Sequence, residues 1–223
     1  MNIQQSILRL VTEPPLDAYG NSLRGCISNQ FPQYAILHNH REDGSFLYLY
    51  PRVQYRIING EGLIIGIEEG VSLIQTLEPY LETIALKGNT YPIVRKQFIS
   101  ENVQFDLAGS SNTYGFLHPW LALNEQNYSE YMKLGSRWKR HEFLRRILTG
   151  NLLSMAKSLG YIVEQEITVP SMALEEKTTY LKGLPMVGFL GTFSVNFEIP
   201  DYWGIGKSVS RGFGTIEKFE KNK

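Results

Sequence analysis

Cysteine is nearly absent from this 223-residue chain: Cys26 stands alone. An internal disulfide and a metal site built on paired thiolates are therefore excluded, and a small buried apolar residue is the reading that fits it. Net charge is lacking too, since 22 Lys and Arg face 22 Asp and Glu. Long apolar runs are missing: nothing approaches the ~20 residues that span a bilayer, and the opening MNIQQSILRL lacks the basic-then-apolar layout of a secretory signal. A cytoplasmic protein with no membrane attachment is expected. What the chain does have is 43% hydrophobic and 12% aromatic content, ample for packed cores in one large domain or two small ones.

The zero total charge hides an uneven distribution. From Lys133 to Lys157 there are seven cations and one acid, Glu142, and from Tyr202 onward five cations and two acids. Such a face attracts a phosphate backbone whatever the total. The second basic stretch contains Gly204-Ile-Gly206-Lys207-Ser208-Val-Ser210-Arg211-Gly212-Phe-Gly214, with four glycines, two hydroxyls, two cations and no acid. Glycine lets backbone amides approach phosphates that side chains would hold away. Two nucleotide-binding readings fail on spacing. The P-loop needs a glycine where Asp201 stands, and the dinucleotide fingerprint needs one at Val209. A loop suited to a polyanion is what remains.

Hydrophobic periodicity divides the chain into two similar halves. Residues 2–11 alternate as a strand; a helix follows, capped by Asp17 and running to about Phe31 with Leu23, Cys26 and Ile27 inward. Residues 34–67 are aromatic and β-branched, punctuated by Asp43-Gly44 and Asn59-Gly60-Glu61-Gly62, which predicts three strands. Helical spacing returns over Val71–Ile84, and a strand over Tyr91–Phe105. The second half is expected to run as a strand over Tyr114–Leu123, a turn at residues 124–127, a helix to Leu159, and strands at Tyr161–Val169, Thr178–Leu181 and Met186–Phe197. This is an α+β order of two tandem ferredoxin-like (RRM-like) domains, divided at 1–110 and 111–223. On the long helix Leu144, Ile147, Leu148, Leu152, Met155 and Leu159 share one face, and Lys139, Arg146 and Lys157 lie nearly opposite.

Of the four histidines, His38 and His40 stand two apart at the end of an apolar run read as a strand. Residues i and i+2 of a strand share a face, so two imidazoles would stand side by side, as acid and base do around one phosphodiester. A structural pair near a turn is the plain alternative; a metal site would want a third ligand, and neither His118 nor His141 has ligand spacing. The letters His-Asn-His also match the name of a class of metal-dependent nucleases, whose residues are however spread over a β-β-α unit. Tyr48, Tyr50, Arg52 and Gln54 alternate in the next run, which suits either base stacking or the outer face of a sheet.

Taken together, GIGKSVSRGFGTI at 204–216, Leu37-His-Asn-His40, Tyr50-Pro-Arg-Val-Gln-Tyr55, Gly66-Ile-Glu-Glu-Gly70, Pro119-Trp-Leu-Ala-Leu-Asn124 and Ile147-Leu-Thr-Gly-Asn-Leu-Leu-Ser154 resemble the CRISPR-associated endoribonucleases that cut precursor CRISPR RNA within each repeat. The match is to the subtype-B branch of this repeat-cleaving family of the RAMP superfamily. The resemblance implies tandem ferredoxin-like domains, a basic RNA surface and metal-independent transesterification leaving 2′,3′-cyclic phosphate and 5′-hydroxyl ends, with no cofactor. It puts the active-site histidines at His38 and His40 with Tyr48 or Tyr50 in support. Lys139, Arg146 and Lys157 join it as expected RNA contacts, and the loop contributes Gly204, Gly206, Lys207, Ser210, Arg211, Gly212 and Gly214. Repeat RNA is the expected partner; subunits of a CRISPR effector complex and a second copy of the chain are further candidates. A non-catalytic RNA-binding subunit of such a complex is the competing reading, and the histidine pair argues against it. An RNA ligase or phosphodiesterase would carry two His-x-Ser/Thr elements, which this sequence lacks.

Overall fold

The computed structural model describes residues 1–38 and 49–219, with His38 described by its backbone alone. The chain forms two compact units, one of Asn2–Gln104 with Val209–Gly212, the other of Met1, Phe105–Ser208 and the chain from Phe213 onward.

The N-terminal unit contains β1 (Asn2–Thr12), α1 (Gly20–Gln30), a 3-10 turn (Ala35–His38), β2 (Val53–Ile58), β3 (Glu61–Ile67), α2 (Glu69–Leu77), β4 (Thr83–Leu86) and β5 (Asn89–Gln104). The sheet is antiparallel in the order β2-β3-β1-β5-β4. Strands β1, β2, β3 and β5 with the two helices make the ferredoxin-like βαββαβ, and β4 adds a hairpin at the edge. Asn59 and Gly60 carry φ of 53° and 80° and close the β2–β3 hairpin, as an Asn-Gly pair between apolar runs predicts. The core lies between sheet and helices, with Leu8, Leu10, Leu23, Ile27, Ile64 and Ile74 buried together.

Several boundaries differ from expectation. Helix α1 starts at Gly20 after Tyr19 with no side-chain cap, so Asp17 does not cap it. Helix α2 stops at Leu77 because Pro79 has no amide to continue the ladder; a 3-10 turn Glu78–Tyr80 leads into β4, where the sequence suggested more helix. Among the described residues two strands, not three, lie between Tyr34 and Ile67. Asp43-Gly44 falls outside the described residues.

The C-terminal unit contains β6 (Asp106–Trp120), α3 (Glu125–Lys133), α4 (Arg137–Ser158), β7 (Ser171–Leu181), β8 (Leu184–Glu198) and β9 (Ile216–Lys218), with sheet order β7-β8-β6-β9. It keeps the ferredoxin-like strand order, but the chain between β8 and β9 holds the glycine-rich segment where a second long helix would stand. Residues 124–127, expected as a turn, open α3: the Asn124 side chain accepts from the Asn127 amide at 2.7 Å. Tyr161–Val169 is not a strand. The Asn196 side chain takes over there, accepting from the Thr168 amide at 2.7 Å and donating to the Glu166 carbonyl at 3.0 Å. Helix α4 is capped by Ser136 and buries Phe143, Leu144, Leu148, Leu152 and Met155. The core is aromatic: Phe116 stacks on Trp120 with centroids 5.5 Å apart, and Phe105 meets Phe197 edge-on at 4.9 Å. Among the described residues no helix is long and apolar enough to cross a membrane.

Candidate active site

Helix α1 organises the N-terminal unit's site through one stripe, Gly20, Arg24 and Ser28, spaced four residues apart and therefore on one face. At Gly20 an added Cβ would run into the Tyr55 carbonyl and come within 3.0 Å of the Arg211 carbonyl. Gly212, at φ 101°, leaves the same kind of gap: a Cβ there would lie 3.2 Å from the Tyr55 carbonyl and 3.4 Å from the Gly20 Cα. Only glycine at both positions lets Val209–Gly212 lie directly on α1 and β2.

The segment is also fastened from below. Arg56 on β2 has no exposed surface; its Nη1 donates to the Val209 carbonyl at 2.7 Å and to the Tyr55 carbonyl at 2.9 Å, and its Nη2 donates to Gln54. Burial pushes this guanidinium down to about 10, with the nearby Tyr50 working in the opposite direction. One helical turn past Arg24, the buried Ser28 hydroxyl donates to the Leu37 carbonyl at 3.3 Å. Its neighbour is the Tyr55 hydroxyl, which burial raises well above the ordinary tyrosine value. The same helix thus seats the glycine-rich segment at one end and holds the turn that carries His38 near the other.

That turn is a correction. Leu37 N donates to the Tyr34 carbonyl at 3.1 Å and Tyr34 N to the Phe31 carbonyl at 3.2 Å, so residues 35–38 curl and do not extend. Strand alternation therefore does not govern His38; His40 and Tyr48 lie outside the described residues. The expected strand face of Tyr50, Arg52 and Gln54 is corrected as well, because β2 begins only at Val53. Tyr50 is buried, Arg52 pairs with Glu69 at 2.9 Å, and Gln54 is fully enclosed. Strand β2 is covered by α1 and by residues 209–212, and its residues Val53–Ile57 are buried.

The remainder of the glycine-rich loop belongs to the C-terminal unit. Gly206, at φ 91°, passes over the Trp120 indole, where a Cβ would meet Nε1 at 2.5 Å; Gly214, at φ 65°, lies against the Ile205 carbonyl. Gly204 bridges to Thr215. The amides of Lys207, Gly212 and Gly214 donate to the carbonyls of Leu121, Val209 and Pro119 at 3.2, 3.1 and 2.9 Å. These three amides of the expected phosphate cradle are thus engaged by the protein itself, and Gly206 and Gly214 serve close backbone packing. Ser210 is buried; the exposed Lys207 and half-exposed Arg211 are the loop's offer to an anion. On α4, Lys139, Arg146 and Lys157 are exposed as the helical phase predicts. Arg140 and Arg145 on the same helix are paired with Glu176 at 3.2 Å and Glu142 at 2.7 Å.

Arg24 and Ser28 escape a reading that considers only the apolar face of α1. The available signal is the Gly-x₃-Arg-x₃-Ser spacing over residues 20–28.

The chain matches two family models along nearly its whole length: the Cas6b N-terminal domain over residues 1–104 and the Cas6b C-terminal domain over residues 106–219. A crystal structure of Cas6b superimposes with a TM-score of 0.91 at 35% identity, covering 98% of this chain and 100% of that one. A structure described as the CRISPR RNA processing endoribonuclease Cas6b superimposes with a TM-score of 0.78 at 32% identity over 98% and 100% of the two chains. An uncharacterized protein of Methanocaldococcus jannaschii is 40% identical over 141 residues, 63% of this chain and 95% of its own length. Each half fits its own domain model and the full length follows solved members, so the chain belongs to the Cas6b family.

Proposed function

We propose that this chain is a CRISPR RNA processing endoribonuclease that cleaves precursor CRISPR RNA within its repeats by metal-independent transesterification. The 2′-hydroxyl oxygen at the cut site attacks the adjacent phosphorus while one histidine of the pair His38 and His40 takes its proton. The P–O5′ bond breaks and the other histidine supplies a proton to the leaving oxygen. The products carry a 2′,3′-cyclic phosphate and a 5′-hydroxyl, and each histidine ends in the protonation state the other began in. Tyr50 and Tyr48 support the pair from the chain that follows it. The observation that carries this reading is the single stripe on α1 that serves both the Leu37–His38 turn and the cationic segment Val209–Gly212.

Chelation tests it. A labelled repeat RNA incubated with the protein in excess EDTA is expected to be cut at the same rate and position as without chelator, leaving a cyclic phosphate on the upstream fragment. Loss of cutting in EDTA, restored by added magnesium, would reject metal-independent transesterification.

Lys139 and Arg146 position the RNA, and Lys207 and Lys157 extend the basic surface. Replacing Lys139 and Arg146 together by Glu is expected to weaken binding to RNAs of any sequence and to flatten the slope of log K against log salt by about 1 to 2. An unchanged slope in a salt titration would remove α4 from the interface.

A further inference from the structure

We propose that Arg24 on α1 and Arg211 in the glycine-rich segment form a phosphate-binding pair, with Arg24 contacting the phosphodiester that is cut. The inference rests on the transesterification reading above and adds the group that meets the charge developing on the phosphate.

The seating of the segment brings the Arg211 backbone against the helix that carries Arg24. The Arg211 carbonyl lies over Gly20, and Arg24 follows one turn later on the same face, about 6 Å further along the helix. Below the segment, the fully buried Arg56 holds the Val209 carbonyl, so a third guanidinium underlies the same stretch of backbone. Arg24 is half-buried, and its guanidinium is pushed below the ordinary arginine value first by burial and then by the positive charge of Arg211. Two like charges within range of each other in a partly dry setting repel. An anion between them reverses the sign of that interaction, and a planar guanidinium matches the two non-bridging oxygens of a phosphodiester. The next turn of the same helix carries Ser28, bonded to the carbonyl that precedes His38. A phosphate held at Arg24 therefore lies one helical turn from the attachment of the histidine turn. Its two non-bridging oxygens gain negative charge as the 2′-oxygen adds, and guanidinium donors fixed in advance stabilise that state more than the ground state.

Single-turnover cleavage of a labelled repeat RNA under saturating protein tests the pair, with Arg24→Ala, Arg24→Lys and His38→Ala measured alongside the parent. Arg24→Ala is expected to cut about 10²-fold more slowly. Millimolar guanidinium should restore part of that rate in this variant and none in His38→Ala. Arg24→Lys should fall between the two, keeping the charge and losing the fork. The melting temperature of each free variant is measured beside the parent's. A parental rate for Arg24→Ala beside a slow His38→Ala would overturn the phosphate pair and leave the transesterification reading intact. A slow Arg24→Ala that guanidinium does not rescue would also overturn it, a lowered melting temperature then marking a purely structural role. A parental rate for His38→Ala would instead count against the catalytic histidine, whatever Arg24 does.

Discussion

His38→Ala and His40→Ala are each expected to cut repeat RNA about 10²- to 10⁴-fold more slowly than the parent, the range over which a positioned general acid or base acts. Binding should be nearly unchanged, because a neutral imidazole adds little to the affinity of a phosphate backbone, which is dominated by cations. The two losses should not multiply in the double variant, since acid and base serve one concerted displacement and removing either stalls it. Rates measured at saturating protein, with affinities from the same preparations, check this. Parental rates in both single variants would move the chemistry away from the turn at the end of α1. A parallel loss of affinity would make the histidines binding groups.

Gly214→Ala is expected to destabilise the C-terminal unit by about 3 kcal/mol or more, combining left-handed strain with overpacking. The position has φ 65° and faces the Ile205 carbonyl, while its amide donates to the Pro119 carbonyl at 2.9 Å. An added methyl group can be relieved only by parting the two arms of the loop, because the obstacle is backbone. Gly150→Ala should act in the opposite direction, stabilising by about 0.5–1 kcal/mol. That glycine sits on the exposed side of α4 with nothing within 4 Å of an added Cβ. Chemical denaturation of the two variants reads both signs at once. Equal stabilities would mean that the glycines of the loop are not there for packing.

The fold was legible wherever burial has a clean period. The alternation of β1, the Asn59-Gly60 turn and the two-faced phase of α4 all point to the elements that form, and their order implies the tandem ferredoxin-like arrangement. Legibility failed where a tertiary contact replaces a ladder bond or a periodic face. Tyr161–Val169 has strand composition, but Asn196, through its side chain and its amide, meets the backbone groups of Glu166 and Thr168 where a neighbouring strand would. Residues 35–38 are apolar and strand-like in composition, yet they curl because Ser28 and Tyr34 offer closer partners. The glycine-rich loop was legible as a feature, and the partners its glycines pack against were not. Its glycines admit protein carbonyls and an indole, while Lys207 is exposed and Arg211 half-exposed. The union of that loop with α1 joins residues nearly two hundred positions apart, which no local pattern announces; the one local trace is the spacing of Gly20, Arg24 and Ser28.

A repeat RNA with one 2′-deoxynucleotide immediately upstream of the cut, assayed for both binding and cleavage, tests the central claim most directly. The account predicts binding equal to that of the all-ribose RNA and no cut at that phosphate, because the nucleophile has been removed from the substrate and the protein provides none. Cutting of the deoxy substrate at the same position would contradict it.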